Sequence, residues 1–147
     1  MNRRGRLIVG ALALITSASL LGVSGATAGS SSVTLTAKSP QVQGKKVFVE
    51  VKTKTSIRLD RIRVTGRIRA GGETTYFEPN RSVGFKPGGT HTFWMRQNDP
   101  DDRRVVRKAM KRGKDLTARM RGDFRTHDGE TIVKKVQVDL IYQPPQD

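Results

Sequence analysis

Cysteine is absent from this 147-residue chain. That single absence removes disulfides, thiolate zinc sites, cysteine nucleophiles and thiol redox chemistry, so the fold must be held by its hydrophobic core alone. Histidine is nearly absent, with only His91 and His127. Aromatic residues are scarce: one tryptophan, two tyrosines and five phenylalanines. Acidic residues are outnumbered, 13 against 28 lysines and arginines, for a net charge of +15. Long apolar runs are missing except for one at the N-terminus.

That one run is informative. Asn2-Arg3-Arg4-Gly5-Arg6 is positively charged, Leu7 to Leu21 is apolar, and Ala26-Thr27-Ala28 has the small residues that a signal peptidase requires. The reading is a cleaved export signal over residues 1–28. An uncleaved anchor is the alternative, but Leu7 to Val23 is short against the roughly 20 residues that span a bilayer. With no cysteine at the cleavage site there is no acceptor for a lipid anchor, and no second apolar run would tether the processed chain. Residues 29–32 read as a flexible lead-in, residues 33–143 as one domain, and residues 144–147 as a tail. The expected location is secreted or in the cell envelope.

The processed domain alternates with period two. Val33, Leu35 and Ala37 alternate, then Ser39-Pro40 and Gly44 mark a turn. Val47, Val49, Val51 and Thr53 form one face of a strand whose other face carries Lys46, Phe48, Glu50, Lys52 and Lys54. Ile57 and Leu59 share one parity and Ile62, Val64, Gly66 and Ile68 the other, so a bulge or turn is expected near Asp60–Arg61. Gly71-Gly72 ends that segment. Thr74 to Glu78 reads as a short strand before Pro79-Asn80, Ser82 to Phe85 is ambiguous, and Lys86-Pro87-Gly88-Gly89 is a turn. Thr90 to Arg96 is β-prone, and its tryptophan, Trp94, is assigned to the core because aromatics dominate small cores. Leu116 to Phe124 and Ile132 to Tyr142 alternate on either side of His127-Asp128-Gly129, the pattern of an antiparallel hairpin.

One segment breaks this period. Asp99 is placed to cap a helix, Pro100 to take its first position, and Asp102 to favour the positive end of its dipole. Val105, Val106, Ala109 and Met110 make an apolar stripe at helical spacing, cations crowd the last turn, and Gly113 is the stop. The fold class that follows is all-β: a sandwich of about seven strands with one short crossover helix, about residues 100–112. The stretch from Arg103 to Arg119, followed by the Thr126–Glu130 hairpin and a strand through Val136, Val138 and Leu140, resembles part of the immunoglobulin-like modules of exported bacterial, especially actinobacterial, proteins. That resemblance covers about 40 residues. It implies an immunoglobulin-like sandwich and carries no catalytic or ligand residues with it.

The candidate sites are weighed on their chemistry. The basic residues suggest two anion-binding surfaces: Arg58, Arg61, Arg63, Arg67 and Arg69 on one strand, and Lys108, Lys111 and Arg112 of the helix with Arg119, Arg121 and Arg125. The competing reading of both is a solubilising surface. Asp99, Asp101 and Asp102 have the oxygen density of a hard-cation site, although helix capping already accounts for two of them. His127-Asp128 with Glu130 fits a hairpin turn as well as a metal or general-base site. Gly71-Gly72 and Gly88-Gly89 enter no helix and make no phosphate cradle. No catalytic residue and no cofactor is assigned. A nucleic-acid binder would interleave aromatics with its cations, and Tyr76, Phe77 and Phe85 stand apart from both clusters in the sequence.

The leading expectation is therefore an exported non-enzymatic module, structural or contacting an anionic envelope polymer or another exported protein. A small exported hydrolase or metal-dependent enzyme, and a nucleic-acid-binding protein, are the alternatives. N-terminal sequencing of the protein recovered from outside its cells should begin at Gly29; recovery of a chain that still starts at Met1 would overturn the assignment of a cleaved signal, and its absence outside the cells would overturn export.

Overall fold

Strands form where apolar and polar residues alternate, because each such segment can bury one face and solvate the other. The computed structural model describes residues 32–44 and 46–144. The expected export signal, most of the lead-in and the last three residues of the tail lie outside the described residues. Among the described residues there are eight strands and one helix: β1 (Val33–Thr36), β2 (Gln41–Gln43), β3 (Phe48–Thr55), β4 (Leu59–Ala70), β5 (Glu73–Phe85), β6 (Thr90–Arg96), α1 (Pro100–Lys111), β7 (Leu116–Thr126) and β8 (Thr131–Tyr142). They make an immunoglobulin-like sandwich, with a three-stranded sheet ordered β1-β3-β6 facing a five-stranded sheet ordered β2-β8-β7-β4-β5. Every pair is antiparallel except β2 on β8. No helix among the described residues is long and apolar enough to cross a membrane.

The core lies between the sheets. Val49, Val51, Phe93 and Met95 enter it from the smaller sheet, and Ile62, Val64, Ile68, Met120, Phe124, Val138 and Leu140 from the larger. Each such side chain contributes about 1.5–3 kcal/mol on burial. Phe124 lies over Gly122, where a Cβ would sit 2.7 Å from the ring; the glycine leaves the room that this aromatic fills. The expected phase change appears as a register shift of β4 on β7 between Leu59 and Arg61.

The helix forms as its caps require. Asp99 Oδ1 accepts from the backbone N–H of Asp101 at 2.8 Å and of Asp102 at 3.4 Å. At the other end the Gly113 N–H bonds to the Met110 carbonyl and the Lys114 N–H to the Ala109 carbonyl, with Gly113 at φ +72°. That pairing is a Schellman termination, and it suits glycine. Val106, Ala109 and Met110 are buried, so α1 joins the core as it carries the chain from β6 in one sheet to β7 in the other.

Three local expectations are corrected. Thr74–Glu78 and the ambiguous Ser82–Phe85 belong to one strand, β5, which passes through Pro79 by means of a register shift opposite Val64–Gly66. The turn assigned between Pro40 and Gly44 contains β2. Trp94 is not in the core: it is 59% exposed. The register of β6 on β3 sets Phe93 opposite Val51 and Met95 opposite Val49 on the inner face, which turns Trp94, opposite Glu50, outward.

β2 fastens the two sheets. Its backbone pairs with β8, while its glutamine side chains serve the edge of β3 beyond the end of β1. Gln43 Nε2 donates to the Phe48 carbonyl at 2.7 Å and its Oε1 accepts from the Phe48 N–H at 2.8 Å. Gln41 does the same with Glu50, at 2.8 and 2.9 Å. Each amide thus satisfies a backbone N–H and C=O as an added strand would. Gln43→Ala should cost about 1–3 kcal/mol, the penalty for leaving these groups unpaired. Urea unfolding would check this, and an unchanged midpoint would show that the amide is dispensable.

Candidate anion-binding face

The two arginine-bearing strands of the larger sheet are neighbours. Since inward positions of β4 and β7 are apolar, their other parity meets solvent: Arg61, Arg63, Thr65, Arg67 and Arg69 on β4, and Thr117, Arg119, Arg121, Asp123 and Arg125 on β7. The register sets Arg67 directly across from Arg119 and Arg61 across from Arg125. β8 adds Lys135 opposite Arg121, and β5 adds Arg81 opposite Arg63. Facing residues on one side of an antiparallel pair have Cβ atoms about 4.5–5.5 Å apart, and like charges so placed repel.

Little on this face offsets that repulsion. Asp123 stands across from Arg63, but its Oδ1 accepts from Arg121 Nε at 2.8 Å. Asp139, on β8, accepts from the Thr117 hydroxyl at 2.8 Å. The Nε of Arg63 is buried with no hydrogen-bond partner among the described residues. Two adjoining depressions mark the surface. One, of about 500 Å³, has Arg67, Tyr76, Arg119, Arg121, Lys135 and Gln137 in its lining. The other, of about 370 Å³, is lined by Arg67, Arg69, Thr74, Thr117 and Arg119. Arg67 and Arg119 belong to both.

The sequence grouping of cations is therefore redrawn. Arg119, Arg121 and Arg125 join Arg61, Arg63, Arg67 and Arg69, and not the helix. Lys108, Lys111 and Arg112 lie at the C-terminal end of α1, and no hydrogen bond or ion pair among the described residues links them to β7. Arg58 precedes β4 and lines a separate depression with His127, Asp128 and Glu130. Arg81 and Lys135 were missed. The parity of β8 could have found Lys135, whereas Arg81 sits where Pro79 hid the strand. Tyr76, expected to stand apart from the basic clusters, is 63% exposed and directly across from Arg67; Phe77 is buried and Phe85 half-buried.

The other candidates have local partners. Asp99 caps α1, Asp102 Oδ2 accepts from the Tyr76 N–H at 3.3 Å, and Asp101 pairs with Arg104 at 3.0 Å. The three carboxylates thus point to three different partners, and no cluster of three or more metal-ligating residues occurs among the described residues. His127 Nδ1 lies 3.1 Å from Asp60 Oδ1, and both side chains are exposed.

No protein-family model matches this chain, and no curated protein matches its sequence. Among solved structures, murine CRIg aligns at 11% identity over 76% of this chain and 98% of its own, with a TM-score of 0.42. A protein of Arabidopsis thaliana solved in solution aligns at 11% identity over 79% of this chain and 80% of its own, with a TM-score of 0.42. A protein from Archaeoglobus fulgidus reaches 17% identity over 76% and 96%, with a TM-score of 0.36. These likenesses are weak and lend no residue or property to the face described above.

Proposed function

We propose that this chain is an exported, non-enzymatic binding module that holds an anionic polymer of the cell envelope against the outer face of its five-stranded sheet. The observation that carries the reading is the pairing of Arg67 with Arg119 and of Arg61 with Arg125 in adjacent strands. Solubility asks only for mixed surface charge. Setting like charges opposite one another destabilises the free domain, and a bound polyanion reverses the sign of that term.

Geometry favours a polymer over a single ion. Alternate residues along a strand repeat about every 6.6–6.8 Å, and neighbouring strands lie about 4.8 Å apart, so the cations form a grid that extends along β4 and β7. A phosphate-bearing chain meets such a grid at several points, each guanidinium offering a planar fork of donors. Export rests on the N-terminal segment, and kinship with exported bacterial modules rests on the Arg103–Arg119 stretch and the hairpin after it; both belong to this proposal. Nucleic acid is the competing polyanion, and Tyr76 is the one exposed aromatic beside the cations that would favour it.

Purified poly(glycerol phosphate) should raise the thermal midpoint of the wild-type protein, and its affinity should fall steeply with salt. Arg67→Ala and Arg119→Ala should each weaken binding by about tenfold or more, the scale of one lost charge-assisted hydrogen bond. The same two variants should leave the free protein as stable as the wild type or more so. Unchanged affinity would show that these arginines do not hold the polymer, and a loss of stability in the free variants would show that they serve the fold. Tighter binding of a single-stranded oligonucleotide of equal charge would move the assignment to nucleic acid.

A further inference from the structure

The three-stranded sheet carries a different outer surface. Its outward positions hold Phe48, Glu50 and Lys52 on β3 and Trp94 and Arg96 on β6, with Glu50 directly across from Trp94 and Phe48 from Arg96. Trp94 is 59% exposed and Phe48 36%. Both rings line two depressions, so they form a ridge between them. One depression, of about 350 Å³, is completed by Glu78, Pro79, Asn80 and Arg96. The other, of about 820 Å³, includes Thr36, Lys38, Lys46, Glu50 and Lys52 in its lining.

We propose that this ridge is a second binding site, which takes an acidic saccharide by stacking a uronate-type sugar ring on Trp94 and drawing its carboxylate to Lys38 and Lys46. An indole in water forgoes the burial of a large apolar surface, and the core has no part in holding it there. One face of a pyranose ring presents C–H groups that cover an indole, while its rim presents hydroxyls that both donate and accept.

The surroundings of Trp94 match that mixture. Carboxylates and an amide, Glu50, Glu78 and Asn80, stand near the aromatic ridge as acceptors for hydroxyl hydrogens. The charges divide in a way that selects an acid. Glu50 is paired with Lys52 at 3.2 Å and Glu78 with Arg96 at 3.6 Å, whereas Lys38 and Lys46, in the larger depression, have no ion-pair partner among the described residues. The inference stands apart from the arginine face, because Phe48 and Trp94 belong to the other sheet and Lys38 and Lys46 to the segments that flank β2, and only Glu78, Pro79 and Asn80 of β5 reach it from the larger sheet.

Trp94 is the chain's single tryptophan, so fluorescence excited at the red edge of indole absorption, where the tyrosines do not absorb, reports on this site alone. A tetrasaccharide alternating glucuronate and N-acetylglucosamine should shift the emission to the blue in a saturable titration. By calorimetry, Trp94→Ala should lose at least about tenfold in affinity, the scale of a lost aromatic stacking contact, and Trp94→Phe should retain part of it. The Lys38→Ala/Lys46→Ala pair should weaken binding severalfold, with the far-ultraviolet circular dichroism of every variant unchanged. In the Trp94 fluorescence titration Arg119→Ala should give the wild-type midpoint, whatever it loses in binding at the arginine face, which keeps failure here distinct from failure of that face. No shift with this probe, equal binding of cellotetraose, or a larger shift with a short single-stranded oligonucleotide would each overturn the proposal.

Discussion

The antiparallel register of β4 on β7 fixes both halves of this molecule at once. Its inner side sets Ile62 opposite Phe124, Gly66 opposite Met120 and Ile68 opposite Ala118; its outer side sets Arg67 opposite Arg119 and Arg61 opposite Arg125. Side chains in a strand alternate with a period of two, so a slip by one residue would exchange the two sets. Arg61, Arg63, Arg67 and Arg69 would then face the core, at a desolvation penalty of several kcal/mol for each charge. The hydrophobic core thus places the arginine grid, and the grid in turn makes the alternative register prohibitive.

Closure of the sandwich falls to packing and to amides, since no cysteine is available to staple it. Phe93 and Met95 from β6 meet the inner side of the larger sheet, and Val106, Ala109 and Met110 of α1 are buried in the same cluster. At the edge, Gln41 and Gln43 complete the hydrogen bonding of β3 where β1 has ended, while their own backbone belongs to the other sheet. A long polar side chain here does what backbone does elsewhere. The result is a domain whose two sheets are linked through the core, through α1 and through a three-residue strand.

Much of this was legible in the sequence because alternation and capping are local signals. The helix was placed to within one residue by Asp99, Pro100 and Gly113, and the final hairpin by the Asp-Gly turn between two alternating runs. What escaped depended on partners remote in the chain. Pro79 reads as a break until β4 is seen to shift register beside it. Gln41–Gln43 carries no apolar alternation, for its glutamines are employed as backbone substitutes. Trp94 was assigned inward from the habits of its residue type, although Phe93 and Met95 on either side already filled the inward parity of a seven-residue strand. The arginines of β4 and β7 were each visible, but only pairing shows them to be one surface, and local charge runs wrongly tied Arg119, Arg121 and Arg125 to the neighbouring helix.

The two outer faces differ in a way the fold does not require. Any polar residue satisfies an outward position on a strand, and interspersed charges keep a surface soluble. Around the aromatic ridge of the smaller sheet Glu50 is paired with Lys52, and Glu78, from β5 of the larger sheet, with Arg96, beside an indole left in water. On the larger sheet arginines face arginines, and Asp123, across from Arg63, is paired with Arg121. Each arrangement is unfavourable in the isolated domain for its own reason, exposed aromatic surface in one case and uncompensated like charge in the other. An excess of basic residues spread by composition alone would have no cause to set arginine across from arginine on β4 and β7. A polyanion on the one face and a sugar ring on the other, as proposed, would relieve each cost separately.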